Sequence, residues 1–524
     1  MKRKLSLLLS VLMIISMMTA CSSTTNTDTP GNTTGEEKGE DKSQEQTSEK
    51  KAKDTITLIV QSEPATLDPA YANNDNITIV LQFIYEDLFT LGADGVVVPE
   101  LAESYEQVDE TTVKFKLKEG VKFSDGTDLK SSDVLWAIKR CQESPVSQSH
   151  FKFIDLENST IEDDLNFTLK FTQAWAPFSN TMSTGRGSIP SQAAFEKMGA
   201  ETFARNPVGT GPYKLVNWTS GTQIELTRNE HYWGEPAKTE NVIIKFIGEP
   251  TARVIELETG AADIAYYIEG TDIERVNNID GYHIEQGDSF RYFVVVFSME
   301  EELLKDERVR YAMSYAIDKN ALTEASSDGV GTIISGFAPP VMNGYMEMPE
   351  MPYDIEKAKE LMAEAGYADG FSIELHVEPQ PIFEKAAEIL QAMWSEINID
   401  VEIISGPLAT YDAQNNGKFQ VSLRDGTATE ISNVLIIYES TFGSRMNGND
   451  DWLDAKLLEL RTYYYGDPKR DECLKEVMDY IYKIRYTYPY MVMPTVYGVS
   501  DKLEGFEFHP AQDHIDPKNW VIYE

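Results

Sequence analysis

The chain is short of cysteine, of clustered histidine and of positive charge. Its 524 residues hold 3 Cys and 6 His, and 46 Lys and Arg face 86 Asp and Glu, a formal charge of −40. An imbalance of that sign excludes a nucleic-acid partner, whose phosphates require a basic face, and disfavours adsorption on anionic lipid. The excess serves solubility or attracts cationic ligands. Beyond the first twenty residues no apolar run approaches the ~20 residues of a membrane-crossing helix. His150, His231, His283, His376, His509 and His514 are scattered without metal-type spacing, and Cys141 and Cys473 have no partner motif around them. There is no Gly-x-Ser-x-Gly elbow, phosphate loop or dinucleotide fingerprint. No metal, no cofactor and no catalytic residue is expected. Carboxylates are numerous enough for a glycosidase-like pair to lie among them, so a secreted hydrolase stays as the rival class.

What is present begins at the N-terminus. Lys2, Arg3 and Lys4 precede an apolar run from Leu5 to Met18, which closes on Thr19, Ala20 and Cys21. A basic start, a short apolar segment and a small-residue cleavage site make a secretory signal. A cysteine directly after small residues resembles the bacterial lipoprotein signal, which implies that residues 1–20 are removed and Cys21 is lipidated. An ordinary signal with an incidental cysteine is the alternative. Residues 21–53 are almost wholly Ser, Thr, Asn, Gly, Glu, Asp and Lys. Such a stretch cannot bury enough surface to offset its ordering entropy, and it is expected to be a disordered linker.

The remaining ~470 residues exceed what one core normally holds, so two or three domains are expected. Alternation of Val113, Phe115 and Leu117 with three lysines predicts a half-buried strand. Val134, Leu135, Ile138 and Cys141 share a helix face that Ser131 or Ser132 would cap, with Cys141 a buried free thiol. Asp354 is placed to start a helix carrying Ala358, Leu361 and Met362, and Gly366 to stop it. A strand at 371–377, a helix at about 383–397 and a strand at 399–404 follow, the rhythm of a parallel crossover. Gly209 and Gly211 read as turn glycines, followed by Pro212.

Several segments in fixed order carry a family resemblance: Glu63-Pro64-Ala65-Thr66-Leu67-Asp68-Pro69, Pro99-Glu100-Leu101-Ala102, Phe123-Ser124-Asp125-Gly126, Pro207-Val208-Gly209-Thr210-Gly211-Pro212-Tyr213, Tyr232-Trp233, and Arg308-Val309-Arg310-Tyr311-Ala312. Together they resemble the peptide-binding branch of the extracytoplasmic solute-binding proteins of ABC importers. The resemblance implies an α/β, two-lobed periplasmic-binding-protein-like fold of type II, with an additional domain in the first lobe. On that basis residues 54–290 form the N-terminal lobe, with an inserted subdomain at about 86–204. Residues 291–494 form the C-terminal lobe, and 495–524 return to complete the first. The implied role is non-enzymatic: a monomer on the outer face of the bacterial cytoplasmic membrane, or in the periplasm, closes two lobes on an oligopeptide or dipeptide and passes it to permease transmembrane subunits. A nickel chelate, an opine, a sugar, or a sensor role in place of import are the alternatives.

The resemblance also nominates ligand contacts. Pro64 and Thr66 match the family's cleft-lining strand, Tyr71 lies just beyond it, and Arg291 and Tyr292 stand at the expected lobe crossing. Peptide-binding members hold the ligand's α-ammonium on an aspartate, within a stretch that here runs Ser422 to Asn433 and lacks the usual Trp and Asp-Pro. Asp425 or Glu430 is the corresponding carboxylate, and Arg424 pairs with it or holds an anionic group.

If Cys21 is the anchor, Cys21→Ser should move the protein from the membrane fraction into the medium or periplasm. Membrane fractionation with immunoblotting reads this, and unchanged partitioning of the variant would remove the anchor assignment.

Overall fold

Two strands of unusual length organise the molecule. Tyr282–Phe297 has 16 residues and Thr487–Ser500 has 14, and they pair antiparallel along most of their length. The computed structural model describes residues 51–406, 419–440, 449–463, 467–511 and 514–524; the leader, Cys21 and the polar stretch to residue 50 lie outside the described residues.

On one side of the long pair the sheet continues through Val421–Thr427, Phe371–Val377 and Ile399–Ser405. On the other it continues through Ile264–Tyr266, Thr55–Val60, Asn241–Phe246, Gln223–Arg228 and Tyr213–Thr219. The two halves are the sheets of two lobes. Between them the ladder breaks: Asp288 pairs with Pro494 and Tyr292 with Val492, so Ser289, Phe290 and Arg291 stand opposite Met493 alone. Pro494 has no N–H to give the ladder, which favours a break beside it. The bulge satisfies its own polar groups. Ser289 Oγ donates to the Met493 carbonyl at 2.6 Å, the Arg291 N–H donates to Ser289 Oγ at 3.0 Å, and the Phe290 N–H donates to the Pro510 carbonyl at 3.1 Å.

The C-terminal half of the first long strand is apolar at every position from Tyr292 to Phe297 because both faces are covered. Phe293, Val295 and Phe297 enter a core with Trp394, Leu390 and Met313. Tyr292, Val294 and Val296 enter a second core, with Val477 and Ile481, on the opposite face. Phe371–Val377 and Ile399–Ser405 pair parallel, joined by the helix Pro381–Ser395. Asp354 caps the helix Ile355–Glu364 by accepting the Lys357 N–H at 2.9 Å, and Gly366 stands beyond that helix's C-terminus at φ 88°.

Within the first lobe, Ala102–Asp109, Thr112–Leu117, Asn166–Phe171 and Ile154–Ile161 form a separate four-stranded antiparallel sheet with its own core around Phe115, Phe167 and Phe178. Neither Ser131 nor Ser132 caps the helix Ser131–Glu143 as the sequence suggested. Ser131 is already its first residue, and the carboxylate of Asp133, in the first turn, accepts the Lys130 N–H at 3.0 Å. The chain's final segment closes the first lobe. Trp520 is buried in that lobe's core, the Lys53 N–H donates to the Ile522 carbonyl at 2.8 Å, and Ala52 bridges Tyr523. Cys141 and Cys473 are both buried free thiols.

The Gly209-Thr210-Gly211 segment differs from its expected role. Neither glycine has a positive φ. A Cβ at Gly209 would meet the Ile84 carbonyl oxygen at 2.2 Å, and one at Gly211 would meet the Ile84 carbonyl carbon at 2.5 Å. They are glycines because the loop lies flat on the end of the helix Asp75–Ile84, to which Gly211 N–H donates at 2.9 Å. The same junction buries Glu86, whose two oxygens accept the Tyr232 hydroxyl at 2.8 Å and the Trp233 indole N–H at 2.5 Å. Burial outweighs these donors and pushes the Glu86 carboxyl up to about 7. Glu100, close by, is raised well above the carboxylate range by burial and then by the charges of Glu86 and Asp87.

A carboxyl raised from 4.5 to about 7 favours the fold below pH 4.5, and that contribution is lost as pH climbs through 7. Urea unfolding from pH 5 to 8 should therefore show a falling midpoint, with Glu86 supplying on the order of 3 kcal/mol of the decline. Glu86→Gln, which mimics the protonated form, should flatten that slope; a slope unchanged in the variant would mean that Glu86 is ionised throughout.

Candidate ligand cleft

A cavity of about 400 Å³ lies between the lobes. The first lobe contributes Asn73 to Asp75, Thr78, the stretch from Ser149 to Phe153, Trp175, and Asn180 to Arg186. The second contributes Thr427 to Thr429, Asn433 and Arg461, and the returning segment adds Ala511. The lobes touch around it. Asn180 Nδ2 donates to Thr429 Oγ1 at 3.3 Å, and the Ala176 N–H donates to the Arg461 carbonyl at 2.9 Å.

The local sequence explains each wall. Asn74 caps the helix Asp75–Ile84 by accepting the Ile77 N–H at 3.2 Å, which leaves Asp75 in the first helical turn at the cavity surface. A helix N-terminus favours a carboxylate. Burial works against that and raises the Asp75 carboxyl, although the Arg291 charge and a 3.2 Å hydrogen bond from the Tyr267 hydroxyl pull it down. On the opposite lobe, the strand Val421–Thr427 pairs with the crossing strand so that Asp425 faces Phe293 and Thr427 faces Arg291. Arg291 Nε donates to Asp425 Oδ2 at 2.7 Å. Burial would depress the guanidinium, but the charge and hydrogen bond of Asp425 together with the Asp75 charge outweigh it, so Arg291 is raised and stays charged. Asp75, Tyr267, Arg291 and Asp425 thus form one electrostatic group that joins both lobes beside the hinge.

The sequence-nominated residues fall into three places. Asp425 and Arg291 belong to this group; Arg291 lines a smaller cavity of about 140 Å³ with Gln61, Tyr267, Lys385 and Pro494. Tyr292 is a core residue, and the Arg424 guanidinium lies 5.3 Å from the Phe419 ring centroid. Glu430 is 1% exposed and ion-paired with buried Arg470, and its other oxygen accepts the Ser432 N–H at 2.9 Å. Pro64, Thr66 and Tyr71 lie apart from the cavity lining. Thr66 Oγ1 accepts the Asp68 N–H at 3.1 Å, and Asp68 holds Arg140 through two hydrogen bonds of 2.7 and 2.6 Å, so this segment is tied to the helix Ser131–Glu143. Sequence reading missed Asn73 to Asp75 and the 149–186 wall. The run Asn73-Asn74-Asp75 before an apolar helix was a visible cap signal, whereas nothing in the spacing of His150, Lys152, Asn180 and Arg186 brings them together.

Residues 96–448 match the family model described as bacterial extracellular solute-binding proteins, family 5, middle. The glutathione-binding protein GsiB of Escherichia coli K12 is 28% identical over 446 residues, covering 82% of this chain and 83% of that protein. Among solved structures, the binding protein AgaA of A. tumefaciens R10 in complex with agropinic acid superposes with a TM-score of 0.77 at 24% identity, covering 90% of this chain and 99% of AgaA. The periplasmic binding protein DppA of Helicobacter pylori in complex with the peptide STSA gives 0.76 at 20% identity, covering 90% and 99%. The chain belongs to the family 5 extracellular solute-binding proteins, the ligand-capturing components of ABC importers, and its fold is the two-lobed one of the peptide-binding branch.

Removing Glu430 breaks its buried ion pair with Arg470, and losing one partner of such a pair typically costs about 3–5 kcal/mol. Glu430→Ala should lower the urea midpoint accordingly. A variant of parental stability would show that Arg470 finds another partner and would return Glu430 to the ligand-contact candidates.

Proposed function

We propose that this family 5 solute-binding protein captures a short peptide in the interlobe cavity and delivers it to the permease of an ABC importer. The observation that carries the reading is the cavity itself: about 400 Å³, walled by both lobes beside the crossing strands, and within the ~300–1,000 Å³ of small-ligand sites. Polar side chains such as Asn73, Thr78, Asn180, Thr429 and Asn433 offer hydrogen bonds to a peptide backbone, while Phe153 and Trp175 provide apolar wall. The peptide's α-ammonium is received by the carboxylates of Asp75 and Asp425, which flank Arg291. Two carboxylates around one guanidinium leave room for a second cation, and Asp75 alone of the pair faces the cavity. Cys21 is the lipid anchor in this reading, which places capture at the outer membrane surface. Similarity to a glutathione-binding protein over most of the chain supports a ligand of tripeptide size.

Calorimetry with tri-alanine, glutathione and their N-acetylated forms tests both parts. A bound ligand at a hundredfold excess over its Kd should stabilise the protein by ~2.7 kcal/mol. Acetylation, or Asp75→Asn with Asp425→Asn, should weaken binding by about 2–5 kcal/mol, the cost of breaking a buried charge pair. Binding indifferent to both changes would exclude the amine clamp. Small-angle scattering that shows no compaction on saturation would exclude closure on the ligand.

A further inference from the structure

Two cations of the second lobe share a small cavity, and neither makes an ion pair among the described residues. The cavity, of about 10 Å³, has room for one water-sized particle and is lined by Lys319, Ser335, Phe337, Tyr482, Arg485 and Tyr488, among others. Arg485 is 3% exposed, and its guanidinium lies against ring faces, 4.3 Å from the Tyr482 centroid and 5.2 Å from that of Tyr311. Its Nε and Nη2 are buried and reach no acceptor among the described residues. The hydroxyl of Tyr488, a residue 1% exposed, is buried without a partner in the same way. Lys319, the first residue of the helix Lys319–Ser326, donates to the Ile334 carbonyl at 2.9 Å, and its ammonium lies 5.0 Å from the Tyr488 ring centroid. Burial pushes the Lys319 ammonium down to about 8; the charge of exposed Glu350 opposes this, and the Arg485 charge adds to it.

A buried guanidinium without a counter-charge is costly, and so is a buried hydroxyl without a partner. Arg485 also holds a left-handed backbone at φ 54°, which a residue with a Cβ adopts only at a cost. It ends the helix Pro468–Ile484 just before the long strand Thr487–Ser500 begins, so the chain turns from helix into the shared strand at this cavity. We infer that the cavity is a site for a small monovalent anion, of the size and charge of chloride, held by the Arg485 guanidinium, the Lys319 ammonium and the Tyr488 hydroxyl. All three groups can donate. A water accepts from about two donors and leaves the positive charge unbalanced, whereas a halide accepts from all of them and supplies the negative charge. The volume admits no solute bearing a carboxylate or phosphate, so the site takes a structural ion and is not a second ligand cleft. Its occupant fastens the second-lobe end of the long strand.

Bromide and chloride are the probes. Crystals grown in sodium bromide should show an anomalous peak within hydrogen-bonding distance of Arg485 and Lys319. In solution, urea unfolding at constant ionic strength, with chloride exchanged for gluconate, which is too large for the cavity, reads the same site. The folding equilibrium constant should rise by up to about tenfold for each tenfold rise in chloride above its Kd. Lys319→Met should remove most of that dependence. Tyr488→Phe keeps the ring and loses one donor, so it should shift the dependence to higher chloride. If the hydroxyl is merely orphaned, Tyr488→Phe will be as stable as the parent or more so, with its chloride response intact, and the assignment falls. Equal stability in chloride and gluconate with no bromide peak would overturn the site. A bromide peak without any halide effect in solution would mean an adventitious ion only, and overturns it as well. A chloride response that survives both substitutions would place the ion elsewhere and have the same result.

Discussion

The structure depends on one shared ladder. Two strands, Tyr282–Phe297 and Thr487–Ser500, belong to both lobes; their pairing breaks where the lobes meet and shifts register once more between Phe293 and Val294. Buried backbone groups must be paired, so a break in a central ladder has to be compensated locally. Here Ser289 and the Pro510 carbonyl do so. Arg291 leaves the bulge beside the cleft and pairs with Asp425 on the neighbouring strand. Lobe geometry and the Arg291–Asp425 contact therefore cannot vary independently.

Buried carboxylates around this frame show how environment sets the use of one functional group. Glu430 is neutralised by Arg470 and belongs to the packing of the second lobe. Glu86 has only neutral donors and is raised until it is partly protonated near neutrality. Asp75 and Asp425 share one guanidinium, that of Arg291. Charge count alone distinguishes none of these.

Much of the architecture was legible because it is local. Alternation at 112–118, the Asp354 cap, Gly366 and the strand–helix–strand rhythm from 371 to 404 each appear as read, since period and capping act over a few residues. The family motifs pointed to the two-lobed fold. The cavity wall was not legible: Asp75, His150, Arg186 and Thr429 are far apart in sequence, and only the packing of the two lobes against each other assembles them. Gly209 and Gly211 illustrate the same limit. Their identity was visible, but the reason for it, contact with Ile84 more than 120 positions away, is tertiary.

The closing strand of the first lobe has a consequence for connectivity. Lys53 pairs with Ile522, Ala52 with Tyr523, and Lys51 with Glu524, so residues 51–53 and 522–524 lie side by side. Chain ends held together are what circular permutation requires. A short linker from 524 to 51 and new ends cut in an exposed turn would preserve every strand neighbour. The order of the lobes along the chain is thus separable from their packing: joined across this contact, residues 51–524 would close into a ring, and the joint would lie in the first lobe, away from the two long paired strands.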